Sequence, residues 1–187
     1  GNAWGWAVFI MPYLEQQALY DQLKPTSRKL TDLYNSSPAA ADKALLQTPI
    51  PGYRCASDTT PALNNLVVFD SNRYDVATSN YVGCVGDIVS PILDNDSGGA
   101  FIGRYDRLSP TPGTGPLGIK LSKVTDGLSK TLCVGERSAS NMAAVWAGAG
   151  SVGYFNNSSA ARTLGRAYYL INFDWLGATG NSYGQGM

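Results

Sequence analysis

Residues 6–23 read WAVFIMPYLEQQALYDQL, and this stretch decides which class of fold the chain adopts. Ile10 and Leu14 are four residues apart, the spacing that places side chains on one face of a helix. Pro12 fits the first turn of a helix, where its missing N–H has no bond to lose, and Pro25 ends the segment. We therefore predict a first helix over Trp6–Leu23.

Downstream of this helix the grouping of apolar residues changes. A second helix is predicted from Pro38 to Gln47, because Pro38 stands at its start and Pro49 and Pro51 follow it. After it come short apolar runs separated by Gly, Asp and Ser, the pattern of β-strands joined by loops. We predict strands over Gly52–Asp58, Leu63–Phe69, Asn80–Val85, Ala100–Tyr105, Thr131–Glu136 and Arg166–Trp175.

The order of these elements predicts the fold class. Helices come first and strands follow, whereas an α/β protein alternates the two. Residues 108–118 hold three prolines and three glycines, which predicts a loop. We therefore predict an α+β fold, with the N-terminal helix followed by a mainly antiparallel sheet with long loops, in one domain over residues 1–187.

The composition excludes several classes of function. Of the 187 residues, 44% are hydrophobic and 15% are charged, and 14 basic residues balance 14 acidic ones. A chain without net charge lacks the electrostatic attraction that binds nucleic acid or an anionic membrane surface, so we predict neither partner. The chain also has no histidine, which excludes Ser–His and Cys–His catalysis, histidine metal ligands and a histidine pH switch.

The three cysteines are Cys55, Cys84 and Cys133, and their wide spacing contains no CxxC pair. That spacing gives no support to a zinc site or a thioredoxin-type redox site. All three are disulfide candidates: we expect Cys55 to pair with Cys84 or with Cys133, or to have its partner outside this sequence. The alternative is that the cysteines are small buried apolar side chains.

Carboxylates are the remaining candidates for metal or acid–base chemistry. Asp94 and Asp96 lie in the segment DNDSG, whose alternating oxygens and final glycine match half of a calcium-binding loop. Asp126 and Ser129 offer further calcium ligands, and the alternative for all of them is an ordinary turn. Glu136 ends an apolar run, where we expect an arginine partner or backbone N–H groups. We predict no catalytic residue and no cofactor other than calcium.

Five segments, in order along the chain, resemble one protein family. They are WAVFIMPYLEQQALY at residues 6–20, PGYRCASD at 51–58, SNYV at 79–82, GGAF at 98–101 and VTDGLSKTLCVGE at 124–136. The last segment is similar to the family's most specific motif, ITDGTSNTILVGE, from which Leu128 and Lys130 depart. The family is a large prepilin-like family of unknown function, abundant in planctomycete bacteria, with an N-terminal prepilin cleavage and methylation motif.

The resemblance implies a pilin-like arrangement, in which a long N-terminal helix packs in a fibre or lies in the membrane and an α+β head lies outside it. No stretch of this chain reaches the ~20 apolar residues that span a bilayer. We therefore expect the anchor helix upstream of Gly1. The resemblance also implies a closing strand, which either follows Met187 or has diverged in this chain. Pseudopilins resembling this family can carry calcium in a head loop, which agrees with the candidates at Asp94 and Asp96.

The function implied by the resemblance is that of a non-enzymatic, extracytoplasmic structural subunit of a pilus or type II secretion pseudopilus. Its partners are then other copies or other pilin-like subunits, contacted through the missing helix. This chain by itself is expected to be a monomer that does not insert into a membrane.

Two other functions remain open. The strand predicted at Arg166–Trp175 carries aromatic residues on both faces, and the face outside the core could stack on sugars in a cell-surface glycan- or solute-binding module. A pocket lined by aromatic residues favours that alternative. A hydrolase is the third candidate, and it requires two carboxylates in a cleft.

Overall fold

A computed structural model of the chain describes residues 4–34, 40–59, 61–69, 72–84, 121–125, 127–137, 144–148 and 164–165. Within these ranges the helices are α1 (Trp6–Ile10), α2 (Gln17–Leu23), α3 (Leu30–Tyr34) and α4 (Ala40–Leu46). The strands are β1 (Leu63–Phe69), β2 (Asn72–Ser79), β3 (Tyr81–Cys84), β4 (Val134–Glu136), β5 (Ala144–Val145) and β6 (Leu164–Gly165). Helices precede strands, so the predicted α+β class is confirmed.

The prediction of one continuous helix over Trp6–Leu23 is wrong. A 3₁₀ turn over Met11–Leu14 separates α1 from α2, with Pro12 at its start and Glu15 in the left-handed region at φ 60°. Pro12 has no N–H to donate to an α-helical bond, so the chain changes its hydrogen-bonding pattern at this point. The predicted end before Pro25 is confirmed, because α2 stops at Leu23.

In the part of the chain that the structure describes, two three-stranded sheets follow the helices, in the orders β1-β2-β5 and β4-β3-β6. In the first, β1 and β2 are antiparallel from Phe69 opposite Asn72 to Leu63 opposite Ala77, with an irregularity between Asn64 and Val67. In the second, β3 lies between antiparallel β4 and parallel β6. The sheets are therefore antiparallel except at β6.

The strand predictions have mixed outcomes. The strands predicted at Leu63–Phe69, Asn80–Val85 and Thr131–Glu136 correspond to β1, β3 and β4, although β4 is shorter. The prediction at Gly52–Asp58 is wrong, since a 3₁₀ turn over Pro51–Tyr53 and non-strand residues take its place. β2 and α3 were not predicted. The strands predicted at 100–105 and 166–175 and the loop at 108–118 lie outside the described residues.

One core connects the helices with the first sheet. Trp146, directly after β5, is fully buried, and its indole N–H donates to the Thr48 carbonyl at 3.1 Å. The buried members of the core are Ala7, Val8, Met11, Leu19, Leu23, Leu30, Leu33, Tyr34, Leu46, Ile50, Tyr53, Val76, Ala77, Val145, Trp146 and Ala147. The helical face that supplies the first eight of these residues thus covers the first sheet.

The start of α1 is held against this core by two bonds. Gly5 is extended, at φ −69° and ψ 157°, and its N–H donates to the Ala147 carbonyl at 2.9 Å. The Trp4 indole N–H donates to the Arg28 carbonyl at 2.7 Å. Arg28 in turn donates to both oxygens of Asp42, a hydrogen bond that lowers the pKa of the carboxyl and raises that of the guanidinium. Residue 5 therefore marks a break in direction before α1.

Two tyrosines of the core donate their phenol hydrogens to backbone carbonyls. Tyr53 donates to Ala7 at 2.6 Å and Tyr34 to Gly148 at 3.3 Å. Tyr74 packs edge-to-face on Tyr34, with ring centroids 5.0 Å apart, and donates to the Tyr34 carbonyl at 2.6 Å. Burial raises the pKa of both core phenols, that of Tyr53 to about 12.

These raised pKa values predict a loss of stability at alkaline pH. Tyrosine in the unfolded chain ionises near pH 10, whereas folded Tyr53 keeps its proton up to about pH 12. Above pH 10 unfolding therefore releases a proton, and the free energy of unfolding falls as pH rises, by roughly 1 kcal/mol at pH 11 from Tyr53 alone. Urea unfolding at pH 8 and at pH 11 measures this fall.

A conservative variant isolates the contribution of one phenol to this alkaline loss. The Tyr53→Phe variant is expected to lose less stability between the two pH values than the parent chain, because it has one titrating group fewer. Tyr13→Phe changes a side chain that is 85% exposed, and it is the matched control. An equal pH dependence in Tyr53→Phe and the parent chain contradicts the assignment.

Part of the helical surface is apolar and exposed. Phe9 is 47% exposed and Tyr13 is 85% exposed, whereas Ala7, Val8 and Met11 beside them are buried. None of the helices in the described ranges combines the length and apolar content that crossing a bilayer requires. The first helical segments thus bury one face in the core and leave the aromatic side chains of Phe9 and Tyr13 exposed.

Candidate functional site

Asn80 is the one residue between β2 and β3, at the point where the chain passes from the first sheet to the second. The two strands belong to different sheets, so the backbone must leave one hydrogen-bond ladder and enter another here. Its side chain is fully buried. A buried amide has to find partners for its donors and its acceptor, and those partners define the site.

Every polar group of Asn80 is bonded to protein. Its backbone N–H donates to the Tyr53 carbonyl at 2.8 Å, and its carbonyl accepts from the Arg137 N–H at 2.6 Å. The side-chain oxygen accepts from the Cys55 N–H at 2.9 Å. The side-chain nitrogen donates to the Asp58 carboxylate and, at 3.2 Å, to the Arg137 carbonyl. We call these five residues the Asn80 junction.

The Asn80 junction joins two of the segments that carried the family resemblance to the residue that follows a third. Tyr53, Cys55 and Asp58 come from PGYRCASD, and Asn80 comes from SNYV. Arg137 directly follows VTDGLSKTLCVGE. Segments far apart in sequence are thus fixed to one another by a single amide side chain. Such a network stabilises one arrangement of the loops, because each polar group makes all its hydrogen bonds only when the other residues are in place.

The chemistry of the junction is that of a structural cluster. Both N–H groups and one lone pair of the Asn80 amide are occupied, and the Asp58 carboxylate accepts one of those bonds. The nearest nucleophile is the Cys55 thiol, whose sulfur lies 3.1 Å from the Ser57 hydroxyl oxygen. The polar groups of the junction thus bind one another and the backbone.

The predicted calcium ligands Asp94, Asp96 and Asp126 lie outside the described residues. Gly127, the residue after Asp126, has φ 91°, and its N–H donates to the Val124 carbonyl at 3.4 Å. Ser129 is exposed in the 3₁₀ turn Leu128–Lys130. Within the described ranges, no three His, Cys, Asp or Glu side chains come together as metal ligands.

Glu136 and Arg137 lie at the end of β4 and have opposite environments. Glu136 is exposed and lies opposite Tyr81 in the pairing of β3 with β4. Arg137 is only 1% exposed. Successive residues of an extended chain point to opposite faces, which explains the contrast. The sequence did not predict the burial of Arg137 or the role of Asn80. For Asn80, the one available signal was the turn-forming character of Ser-Asn between two apolar runs.

The three cysteines are free thiols with different surroundings. Cys55 is half-buried at the Asn80 junction, Cys84 is buried at the end of β3, and Cys133 is exposed just before β4. The Cys84 N–H donates to the Cys133 carbonyl at 2.8 Å. The structure therefore brings Cys84 and Cys133 together and leaves Cys55 apart from them.

Comparison with known proteins gives one result. A family model described as a protein of unknown function (DUF1559, SBP_bac_10) matches residues 1–185. The match extends on both sides beyond the five resembling segments. Neither the curated proteins nor the solved structures provide a significant match to the chain.

Proposed function

The chain belongs to the DUF1559 family of proteins of unknown function, and from that premise we propose that it is the head of a non-enzymatic structural subunit of an extracytoplasmic, pilus- or pseudopilus-like filament. The observation that carries the proposal is the Asn80 junction. Two of the segments that carry the family resemblance meet there with the residue that follows a third, and their polar groups hold the domain together.

This use of the motifs supports a structural role. In an enzyme or a receptor, the residues that give a family its signature commonly face a ligand. In this chain, Tyr53 and Asn80 from the signature segments, and Arg137 directly after one of them, are buried and bonded to backbone atoms. Signature residues of this kind maintain the fold. A repeating subunit needs a constant fold, because every copy has to offer the same surface to its neighbours.

The N-terminal region fits the same proposal. α1 begins after an extended Gly5 that is bonded to Ala147. A helix encoded upstream therefore could not run straight into α1, and it would meet the head at a fixed point near residue 5. In a filament, that geometry lets anchor helices pack together while each head keeps its own orientation. The glycan-binding alternative depends on aromatic residues at 166–175, which lie outside the described residues.

Immuno-electron microscopy tests the location. Antibodies raised against this chain are applied to cells that express the full encoded protein, and surface material is sheared off and analysed by mass spectrometry. The expected result is label along surface filaments and enrichment of the protein in the sheared fraction. Label restricted to the cell interior, or recovery only as a free monomer, overturns the proposal.

Light scattering on this chain alone tests where assembly resides. We expect a monomer at micromolar concentration, because packing of apolar anchor helices holds the proposed filament together. Ordered polymers of this chain place assembly in the head instead. The Tyr13→Lys variant then indicates whether the exposed aromatic pair on the helices is the contact, since it adds a charge there without touching the core.

A further inference from the structure

The register of β3 and β4 places two cysteines opposite each other. Tyr81 lies opposite Glu136 and Gly83 lies opposite Val134 in this antiparallel pair. One step further along both strands, the Cys84 N–H donates to the Cys133 carbonyl at 2.8 Å. We propose that Cys84 and Cys133 form a disulfide on oxidation and that Cys55 remains a thiol.

The backbone geometry suits this bond. Residues in a hydrogen-bonded antiparallel pair have Cα atoms about 5.5 Å apart, and disulfides accept Cα separations of roughly 4.4–6.8 Å. Side chains of opposite residues project to the same face of the sheet. The Cβ atoms of opposite residues are about 4.5–5.5 Å apart, whereas a disulfide prefers about 3.5–4.5 Å, so the bond requires the two chains to approach each other locally. Cys133 lies at the end of this pair, directly before the first residue of β4.

Cys55 is too distant to compete. Its backbone N–H is bonded to the Asn80 side chain, and Cys84 lies four residues further along the chain, about 13 Å in a strand. Two cysteines more than ~7 Å apart at Cα cannot be bridged without moving the backbone. Pairing of Cys55 with Cys84 or with Cys133 therefore requires the Asn80 junction to come apart.

The exposures of the two cysteines define the order of the steps. Cys133 is exposed and Cys84 is buried, so the Cys133 thiolate attacks a small-molecule or protein disulfide first and expels one thiolate from it. Cys84 then loses its proton to solvent and attacks the Cys133 sulfur, expelling the second oxidant thiolate. Two protein thiols become one disulfide while one oxidant disulfide becomes two thiols.

The bond closes a loop over residues 85–132. A cross-link that closes a loop of about 50 residues removes entropy from the unfolded chain and is expected to raise the melting temperature by roughly 5–15 °C. This stabilisation exists only in the oxidised protein, and reduction reverses it.

Peptide mapping tests the proposal. The chain is reduced, transferred to a buffer rich in glutathione disulfide, alkylated, and digested with trypsin without reductant. Cleavage after Lys and Arg places the cysteines on separate peptides, residues 55–73, 74–104 and 131–137. We expect peptide 74–104 joined to peptide 131–137, and peptide 55–73 alkylated. Recovery of alkylated Cys84 and Cys133 after oxidation, or a bridge that contains Cys55, overturns the proposal.

Two variants complete the test without disturbing the core. Cys55→Ser is expected to keep both the bridge and the rise in melting temperature on oxidation. Cys133→Ser changes an exposed side chain and is expected to lose both. An unchanged melting temperature under reducing conditions shows that this variant still folds. An equal melting shift in Cys133→Ser and the parent chain contradicts the pairing.

Discussion

Replacing Asn80 with alanine is expected to lower the free energy of unfolding by about 3–5 kcal/mol, as much as a typical large core truncation. The substitution leaves the Cys55 N–H, the Arg137 carbonyl and the Asp58 carboxylate without the bonds that Asn80 makes to them. Loss of a hydrogen bond at a buried or half-buried polar group costs roughly 1–3 kcal/mol, so three lost bonds account for the total. Urea unfolding followed by far-UV circular dichroism measures the change.

Two further variants distinguish the stability lost with the junction's hydrogen bonds from the stability lost on removing any amide side chain. Asp58→Asn keeps an acceptor for the Asn80 N–H, so its expected loss is smaller, on the order of 1–2 kcal/mol. Gln17→Ala is the matched control: its amide donates to Asp21 at 2.7 Å on an exposed helix surface, and its loss is expected to stay within about 0.5 kcal/mol. Similar losses in Asn80→Ala and Gln17→Ala refute the role assigned to the junction.

The junction also explains where sequence reasoning about the fold stopped. Gly52–Asp58 has the apolar and aromatic content of a strand, yet the Tyr53 carbonyl and the Cys55 N–H are bonded to Asn80 instead of to a neighbouring strand. Local preference cannot reveal a partner that lies 25 residues away in sequence. β1, by contrast, was predicted with its observed bounds, because its apolar run is recognisable without knowledge of its partner.

The candidate sites also divide into features that depend on local sequence and features that depend on distant partners. The positive φ of Gly127 was predictable from the Asp-Gly sequence, since glycine accepts the backbone conformation that turns often require. The opposition of Cys84 and Cys133 was not, because it depends on the register between β3 and β4. A shift of one residue in that register moves every side chain of a strand to the other face. Sequence alone therefore identified the cysteines as disulfide candidates but not the pair that the strands bring together.

The second large effect is expected at Trp146, the largest fully buried side chain of the described core. Trp146→Ala removes the contact between the end of β5 and the helices and is expected to cost about 3–5 kcal/mol of unfolding free energy. The alanine leaves a cavity that its neighbours fill only partly. It also leaves the Thr48 carbonyl without the indole donor that lies 3.1 Å away.

Trp146→Phe divides this cost into its two parts. Phenylalanine retains most of the apolar contact and lacks the indole N–H, so its expected loss is about 1–2 kcal/mol. Tyr13→Ala removes an aromatic ring that is 85% exposed, and it serves as the control at about 0.5 kcal/mol or less. If Trp146→Ala unfolds at the same urea concentration as Tyr13→Ala, the helices and the first sheet do not share the core described here. If Trp146→Phe is as unstable as Trp146→Ala, the hydrogen bond to Thr48 rather than the apolar contact joins β5 to the segment after α4.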